Sequence, residues 1–283
     1  MNNVAFIINP FSAKKNYEPF FEALKKRIDQ PVVYISDSVQ GTFDFIDSNF
    51  AQIDIFVAVG GDGTISTVAR KIIGTDKILA VFPAGSGNGF SNETKFTRNL
   101  EDLLSKIKNK KVKKIDTFTV NGRLSINVSG TGFDGKVVKE FEKTSRGFRN
   151  YIQVSMRTFI NYKPIKVNFL TENLKSYNGE YLMLNIANTR QFGNHAYIAP
   201  HASKSDGLLD IVLVKKFPLQ YAVRFAYRMF TKKLKDDEFV TYLPVAEVEF
   251  EVNTTNWHLD GEFHRIESPV KIKIAPKSLN ILV

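Results

Sequence analysis

Residues 57–70 read VAVGGDGTISTVAR: an apolar run, three glycines around one aspartate, then an amphipathic run. The apolar run has the composition of a buried strand, and the run after the glycines has helical spacing. A carboxylate among glycines at a strand-to-helix turn has two readings. One is a tight turn, since glycine tolerates backbone angles that other residues avoid. The other is a phosphate cradle. There Gly60, Gly61 and Gly63 leave backbone N–H groups unobstructed, the following helix offers its positive N-terminus, and Asp62 serves a metal or a proton.

The flanking sequence repeats the pattern. VAFIIN (4–9), VVYI (32–35), DIFVAV (54–59) and ILAVF (78–82) read as buried strands, and helical patterns lie at 17–28, around 43–50, at 64–73 and at 99–108. Strand and helix in regular alternation predict an α/β domain with a parallel sheet covered on both faces. Such sheets bind ligands at the carboxyl ends of their strands. GGDGT falls at one such end, NPFSAKK (9–15) at another, and a second glycine loop, PAGSGNGF (83–90), at a third. Two glycine loops at neighbouring strand ends favour a polyphosphate ligand over two coincidental turns.

The lysine-rich KIKNKKVKK (106–114) reads as a solvated helix end and linker, and beyond it the periodicity becomes mostly two. Val120-Asn121-Gly122-Arg123 carries a hairpin signal. PIKVNFL, YLMLNIAN, AEVEFEV (246–252) and KIKI (271–274) read as strands, with helical segments near 134–160 and 218–234. The expected organisation is an α/β domain over 1–116 and a mainly antiparallel β-sandwich over 117–276.

Composition narrows the function. The chain has 283 residues, 43% hydrophobic and 24% charged, as in soluble globular proteins. No apolar run approaches a membrane span, and MNNVAFIINP does not read as a signal peptide. The absence of cysteine excludes disulfides and thiolate metal sites, and a cytoplasmic location is expected. A net charge of +10 points to nucleic acid, an anionic membrane surface or phosphorylated substrates. Nucleic acid ranks low, because zinc-finger spacing, aromatic RNA-binding signatures and arginine-rich tails are missing. Residues 215–235 hold seven basic and five aromatic residues and no acidic one. Core packing is the expected use of that helix's apolar face, and docking on anionic lipid is the alternative. His195 and His201 read as surface residues and Trp257 as packing.

NPFSAKK, GGDGT, FPAGSGNGFSNE, SGTGFDG, FGNHAYIAPHASKSDGLLDI and LDGE occur in the order and spacing of the diacylglycerol-kinase-like lipid kinases, from Asn9 to Glu262. The chain resembles that family, which includes bacterial diacylglycerol kinases and the sphingosine and ceramide kinases. The resemblance implies an N-terminal fold similar to phosphofructokinase and NAD kinase, a β-sandwich, and a last strand (277–283) returning to the first domain. It implies ATP and magnesium as cofactors and a lipid acceptor at an anionic membrane surface, with the protein peripherally associated, and it leaves room for a homodimer. Asn9, Ser12, Lys14 and Thr42 would lie near the nucleotide. Gly60, Gly61, Gly63, Thr64 and Ser66 would wrap its phosphates, with Ser86, Gly87 and Asn88 seating it from the second loop. Asp206, Ser203 and Leu208 would hold magnesium, and Asp134 would contact the lipid head group.

Glu262 matches the family's general base with Asp260 assisting, and Asp62 is assigned to the metal or the acceptor. The reverse assignment competes, because in NAD-kinase and sphingosine-kinase relatives the aspartate of the glycine motif takes the base role. Gly85-Ser86-Gly87-Asn88-Gly89 departs from the GTxND usual in bacterial diacylglycerol kinases towards the sphingosine-kinase branch, and Ala13 replaces a usual glycine. A soluble-substrate kinase of the NAD-kinase type and a catalytically dead nucleotide- or lipid-binding regulator are the alternatives.

Overall fold

The four apolar runs of the first part become β1 (Val4–Ile8), β2 (Val32–Ile35), β3 (Ile55–Gly60) and β4 (Ile78–Pro83) in the computed structural model, which describes residues 3–12, 17–144 and 148–283. The chain divides into two units, Met1–Ile115 with Lys277–Val283, and Asp116–Pro276.

In the first unit the strands pair in parallel in the order β2-β1-β3-β4. Every residue of β1 and β3 is buried, as strands with both faces covered must be. The connections are α1 (Glu18–Lys25), α2 (Val39–Asn49) and α3 (Asp62–Ile72), followed by α4 (Gly89–Thr94) and α5 (Leu100–Asn109). Ser38 Oγ caps α2 by accepting from Gly41 N, and Asn99 Oδ1 caps α5 by accepting from Glu101 N and Asp102 N. The second glycine loop is shorter than its sequence suggests, because α4 starts at Gly89.

The second unit is built of antiparallel strands in two sheets and, among the described residues, three α-helices and a short 3-10 helix at Glu172–Tyr177. Its elements are β5 (Val112–Val120), which begins in the first unit, β6 (Arg123–Ser125), β7 (Val128–Gly132), α6 (Phe133–Phe141), α7 (Phe148–Asn161), β8 (Ile165–Phe169), β9 (Gly179–Tyr181), β10 (Met183–Ala187), β11 (Leu209–Val214), α8 (Leu219–Phe230), β12 (Val240–Val245), β13 (Glu247–Val252), β14 (Asn256–Leu259), β15 (Glu262–Arg265) and β16 (Val270–Leu282). Of the solvated helix end and linker expected over 106–114, the helix end holds, since α5 runs to Asn109, and the linker is corrected to a strand. Val112, Lys113 and Lys114 are exposed but already extended, and β5 continues into the buried Ile115–Phe118. Their lysines gave them the look of a linker because that end of the strand faces solvent.

The sheet β12-β11-β10-β7-β14-β15 packs its inner face against β13, β8 and the first half of β16, around Leu184, Ile186, Phe250, Trp257 and Ile272. Its outer face is covered by a second cluster that includes Val128, Met183, Val212, Phe217 and Phe225. The hairpin at Asn121-Gly122 joins β5 to β6. The second half of β16 lies in the first unit, where Asn280 and Ile281 pair in parallel with Ile78 and Leu79. Among the described residues no helix is long and apolar enough to cross a membrane.

Candidate active site

The carboxyl ends of β1, β3 and β4 hold most of the nucleotide residues expected from sequence. Asn9 follows β1. Its Nδ2 donates to Thr64 Oγ1 at 2.9 Å and its Oδ1 accepts from Phe11 N at 2.9 Å, which ties the turn after β1 to the first turn of α3. Ser12 N donates to Asn9 O at 3.1 Å. Gly61 precedes α3, and no side chain caps that helix. Gly61 and Gly85 bring the two glycine loops together: a Cβ on Gly85 would sit 2.5 Å from Gly61 Cα, closer than packed atoms tolerate. Part of the glycine requirement is thus close approach of backbone to backbone, which the phosphate reading from sequence did not contain.

Asp62 acts across the same junction. Its Oδ2 accepts from Gly89 N at 3.0 Å and its Oδ1 from Phe90 N at 3.1 Å, so its carboxylate caps α4 from the first turn of α3. Asn88 closes the second loop, accepting from Gly85 N at 2.9 Å and donating to Gly85 O at 2.8 Å. Arg98, unnoticed in the sequence, donates to Pro83 O and Gly85 O from outside. Ser86 is exposed, and Ser66 is buried within α3. Thr42 lies near the start of α2 and is buried, where its hydroxyl bonds Ser36 Oγ at 2.8 Å and Ser38 O at 3.0 Å. Gly63 and Thr64 lie in the first turn of α3, and Lys14 falls outside the described residues.

In the second unit Leu259-Asp260-Gly261-Glu262 is the tight hairpin between β14 and β15. Asp260 and Gly261 both have positive φ, 50° and 88°. The Asp260 carboxylate is buried and accepts from Ser125 Oγ at 2.6 Å, Asn127 N at 2.8 Å and Ile126 N at 3.1 Å. These bonds pin the hairpin that carries the exposed Glu262 to the turn between β6 and β7. The pinned turn connects onward: Asn188 Nδ2 donates to Ile126 O and to Asp116 O, and Asp116 Oδ2 accepts from Gly207 N at 2.8 Å.

That network ends at the expected metal turn. Asp206 Oδ1 accepts from Leu208 N at 3.1 Å, and Ser203 is half-buried nearby in sequence. Burial pushes the Asp210 carboxyl up, the Asp206 charge adds to this, and His201 opposes it. Oxygen donors of this kind fit a hard cation such as magnesium, which binds through one or two carboxylates and keeps several waters. Among the described residues no three acidic or histidine side chains converge on one point. His195 and His201 are exposed and Trp257 is fully buried, as the sequence suggested.

Asp134 stands at the start of α6 and is buried. His258 Nε2 lies 3.0 Å from its Oδ2, while among the described residues His258 Nδ1 has no partner. Asn185, Gly130 and His258 face one another across β10, β7 and β14. Asn185 is fully buried, and among the described residues neither its Oδ1 nor its Nδ2 finds a partner. A Cβ on Gly130 would fall 2.2 Å from Asn185 Oδ1 and 2.3 Å from Asp134 Oδ2, so glycine alone leaves these two oxygens room to face each other. Burial, then the Asp134 charge, pushes the Tyr151 and Tyr162 phenols up. Unpartnered buried polar groups are costly, and a bound water, ion or ligand is one way in which they are satisfied. Sequence reasoning reached Asp134 and missed Asn185 and His258. The only signal for Asn185 is a polar residue within the otherwise apolar MLNIA of β10.

The comparisons with known proteins identify the family. Residues 3–120 match the diacylglycerol kinase catalytic domain, and residues 127–283 match the YegS C-terminal NAD kinase beta sandwich-like domain. The diacylglycerol kinase of Bacillus subtilis is 25% identical over 277 residues, covering 93% of this chain and 90% of that protein. The "Probable lipid kinase YegS-like" protein of Alcanivorax borkumensis is 26% identical over 226 residues, covering 77% and 74%. A crystal structure of a diacylglycerol kinase from Bacillus anthracis superposes with a TM-score of 0.75 at 18% identity, over 99% of this chain and 96% of the other. With both units matched, and both glycine loops, the pinned DGE hairpin and the buried Asp134 in place, the chain belongs to the diacylglycerol kinase and YegS-type lipid kinase family.

Proposed function

We propose that this protein is an ATP- and magnesium-dependent kinase that phosphorylates a lipid hydroxyl of the diacylglycerol or sphingoid type. The observation that carries the reading is the joining of two glycine loops at adjacent strand ends beside a helix that no side chain caps. Such a helix N-terminus favours an anion, and the family match makes a nucleotide phosphate the fitting one. ATP with magnesium supplies the phosphoryl group, and the protein's work is placement and charge.

In this reading the first unit is the nucleotide domain. The first turn of α3, with Asn9 and Thr64 bonded beneath it, binds phosphate, and Ser12, Lys14, Thr42 and Ser86 border the nucleotide. Asp62 holds the two loops at a fixed separation and adds a negative charge that a cation would balance. The second unit is the acceptor domain. Glu262 takes the proton of the lipid hydroxyl, held in place by Asp260, and Asp206 anchors a magnesium ion at its turn. Asp134, Asn185 and His258 hold the polar end of the acceptor, satisfying their own unmet hydrogen bonds.

The test is transfer from labelled ATP to a panel of diacylglycerol, monoacylglycerol, ceramide, sphingoid base and phosphatidylglycerol, with NAD as the soluble control. Label in a lipid is the expected result; label in NAD alone overturns the reading. Glu262→Gln should lower turnover by about two to four orders of magnitude, the usual worth of a positioned base, and leave ATP affinity unchanged. If Asp62→Asn loses more turnover with nucleotide binding intact, the base is Asp62.

A further inference from the structure

The two helices α7 and α8 each have a second apolar side that the fold does not use. On α7, Phe159 packs inward, edge-on to Phe133 and stacked on Phe217 at 5.3 Å, whereas Ile152, Met156 and Ile160 are 40%, 66% and 71% exposed. On α8, Phe225 is buried and Tyr221 packs beside it, whereas Leu219, Val223 and Tyr227 are 69%, 75% and 59% exposed. Both outer rows run at four-residue spacing, the pattern of one continuous helix face. Lys216 Nζ donates to Tyr162 O, which ties the segment just after α7 to the segment just before α8.

Charge identifies the occupant. Residues 148–163 and 215–235 contain ten lysines and arginines and no acidic residue. The chain has 39 basic and 29 acidic residues, so removing these ten leaves 29 of each. Outside these two segments, which comprise α7, α8 and their flanks, basic and acidic residues balance. All but Arg228, which pairs with Asp237, are exposed. A depression of about 540 Å³ beside α8 is lined by Arg224, Lys232, Lys233 and Lys235 among others. An apolar strip edged by cations and free of acids matches an anionic bilayer, which offers acyl chains below a layer of phosphates. A second copy of this chain would bring ten like charges to the same contact.

We propose that the outer faces of α7 and α8 form one docking surface that inserts Ile152, Met156, Ile160, Leu219, Val223 and Tyr227 into an anionic membrane. The proposal goes beyond the kinase reading and does not depend on it, since binding is measured without ATP. The experiment is co-sedimentation with phosphatidylcholine vesicles, with and without phosphatidylglycerol, for the wild type and two variants. Arg157→Glu/Lys215→Glu/Arg224→Glu should weaken binding to anionic vesicles by about two orders of magnitude at low salt, at about five-fold per residue before screening. Met156→Ser/Val223→Ser should weaken it by about tenfold per residue, at every salt concentration.

All these residues are exposed, so unchanged thermal melting is the expected control. Activity on a short-chain acceptor dispersed in detergent should match the wild type. Equal vesicle binding by wild type and both variants overturns the proposal. So does a concentration-dependent wild-type dimer that Met156→Ser/Val223→Ser dissociates while vesicles are ignored, which would make the face a contact between copies. Vesicle binding with the expected losses but no lipid phosphorylation would uphold the docking face and overturn the kinase reading alone.

Discussion

Asp62 shows how one side chain can serve two loops. It belongs to the first turn of α3, yet its oxygens accept from Gly89 and Phe90, 27 and 28 residues away. The same junction depends on the missing side chains at Gly61 and Gly85. Gly85→Ala would place a methyl group 2.5 Å from Gly61 Cα, against backbone that cannot rotate aside. Overpacking of this kind costs about 1–3 kcal/mol. We expect Gly85→Ala to lower the thermal midpoint and to weaken ATP binding by calorimetry, because separating the loops disturbs the anion site. Full stability with native ATP affinity would show that the loops need no such contact. Asp260 is the counterpart in the second unit. Its buried carboxylate accepts from Ser125, Ile126 and Asn127, far from it in the chain.

At the scale of elements, α8 is held to its sheet by one carboxylate. Asp237 accepts from the Tyr221 hydroxyl, from Arg228 Nη1 at 2.8 Å, and from Phe239 N and Val240 N. Burial works to raise the Asp237 pKa, but these bonds prevail and hold it below the usual carboxylate range. Tyr221 is pushed up to about 12 by burial and by the same bond. A carboxylate with a lowered folded pKa stabilises fully above its unfolded pKa and loses that contribution as the pH falls through the folded value. Asp237→Asn should therefore cost about 1–3 kcal/mol at neutral pH, with variant and wild type converging in acid. Chemical denaturation across that pH range checks both parts. Because Asp237 anchors the buried side of α8, its loss should disturb the exposed side as well.

For the whole molecule, the end of the chain completes the first unit. Leu279, Ile281 and Leu282 are buried, and Asn280 Nδ2 donates to Thr75 O and Lys77 O. Each such apolar side chain contributes about 1.5–3 kcal/mol by burial, against a total stability of about 5–15 kcal/mol for a domain. A chain ending at residue 276 should lose the cooperative unfolding of residues 1–115, seen as rapid proteolysis there. Resistance equal to the full-length protein would mean that β4 is a stable edge without its parallel neighbour.

The layering of this protein was legible in its sequence, because unbroken apolar runs alternating with amphipathic ones leave only a doubly covered parallel sheet, and strict alternation leaves only half-buried strands. The glycine loops, the DGE hairpin and Asp134 were legible for the same reason, being local in the chain. Their partners were not. Ser125 lies 135 residues before Asp260, and Asp134 lies 124 residues before His258. Asn185 comes to face Gly130 only because β10 pairs beside β7. The second apolar face of α8 likewise emerged only when the first was used up by Phe225 and Tyr221 against the sheet. Periodicity tells which residues avoid water, and tertiary packing decides which of them succeed.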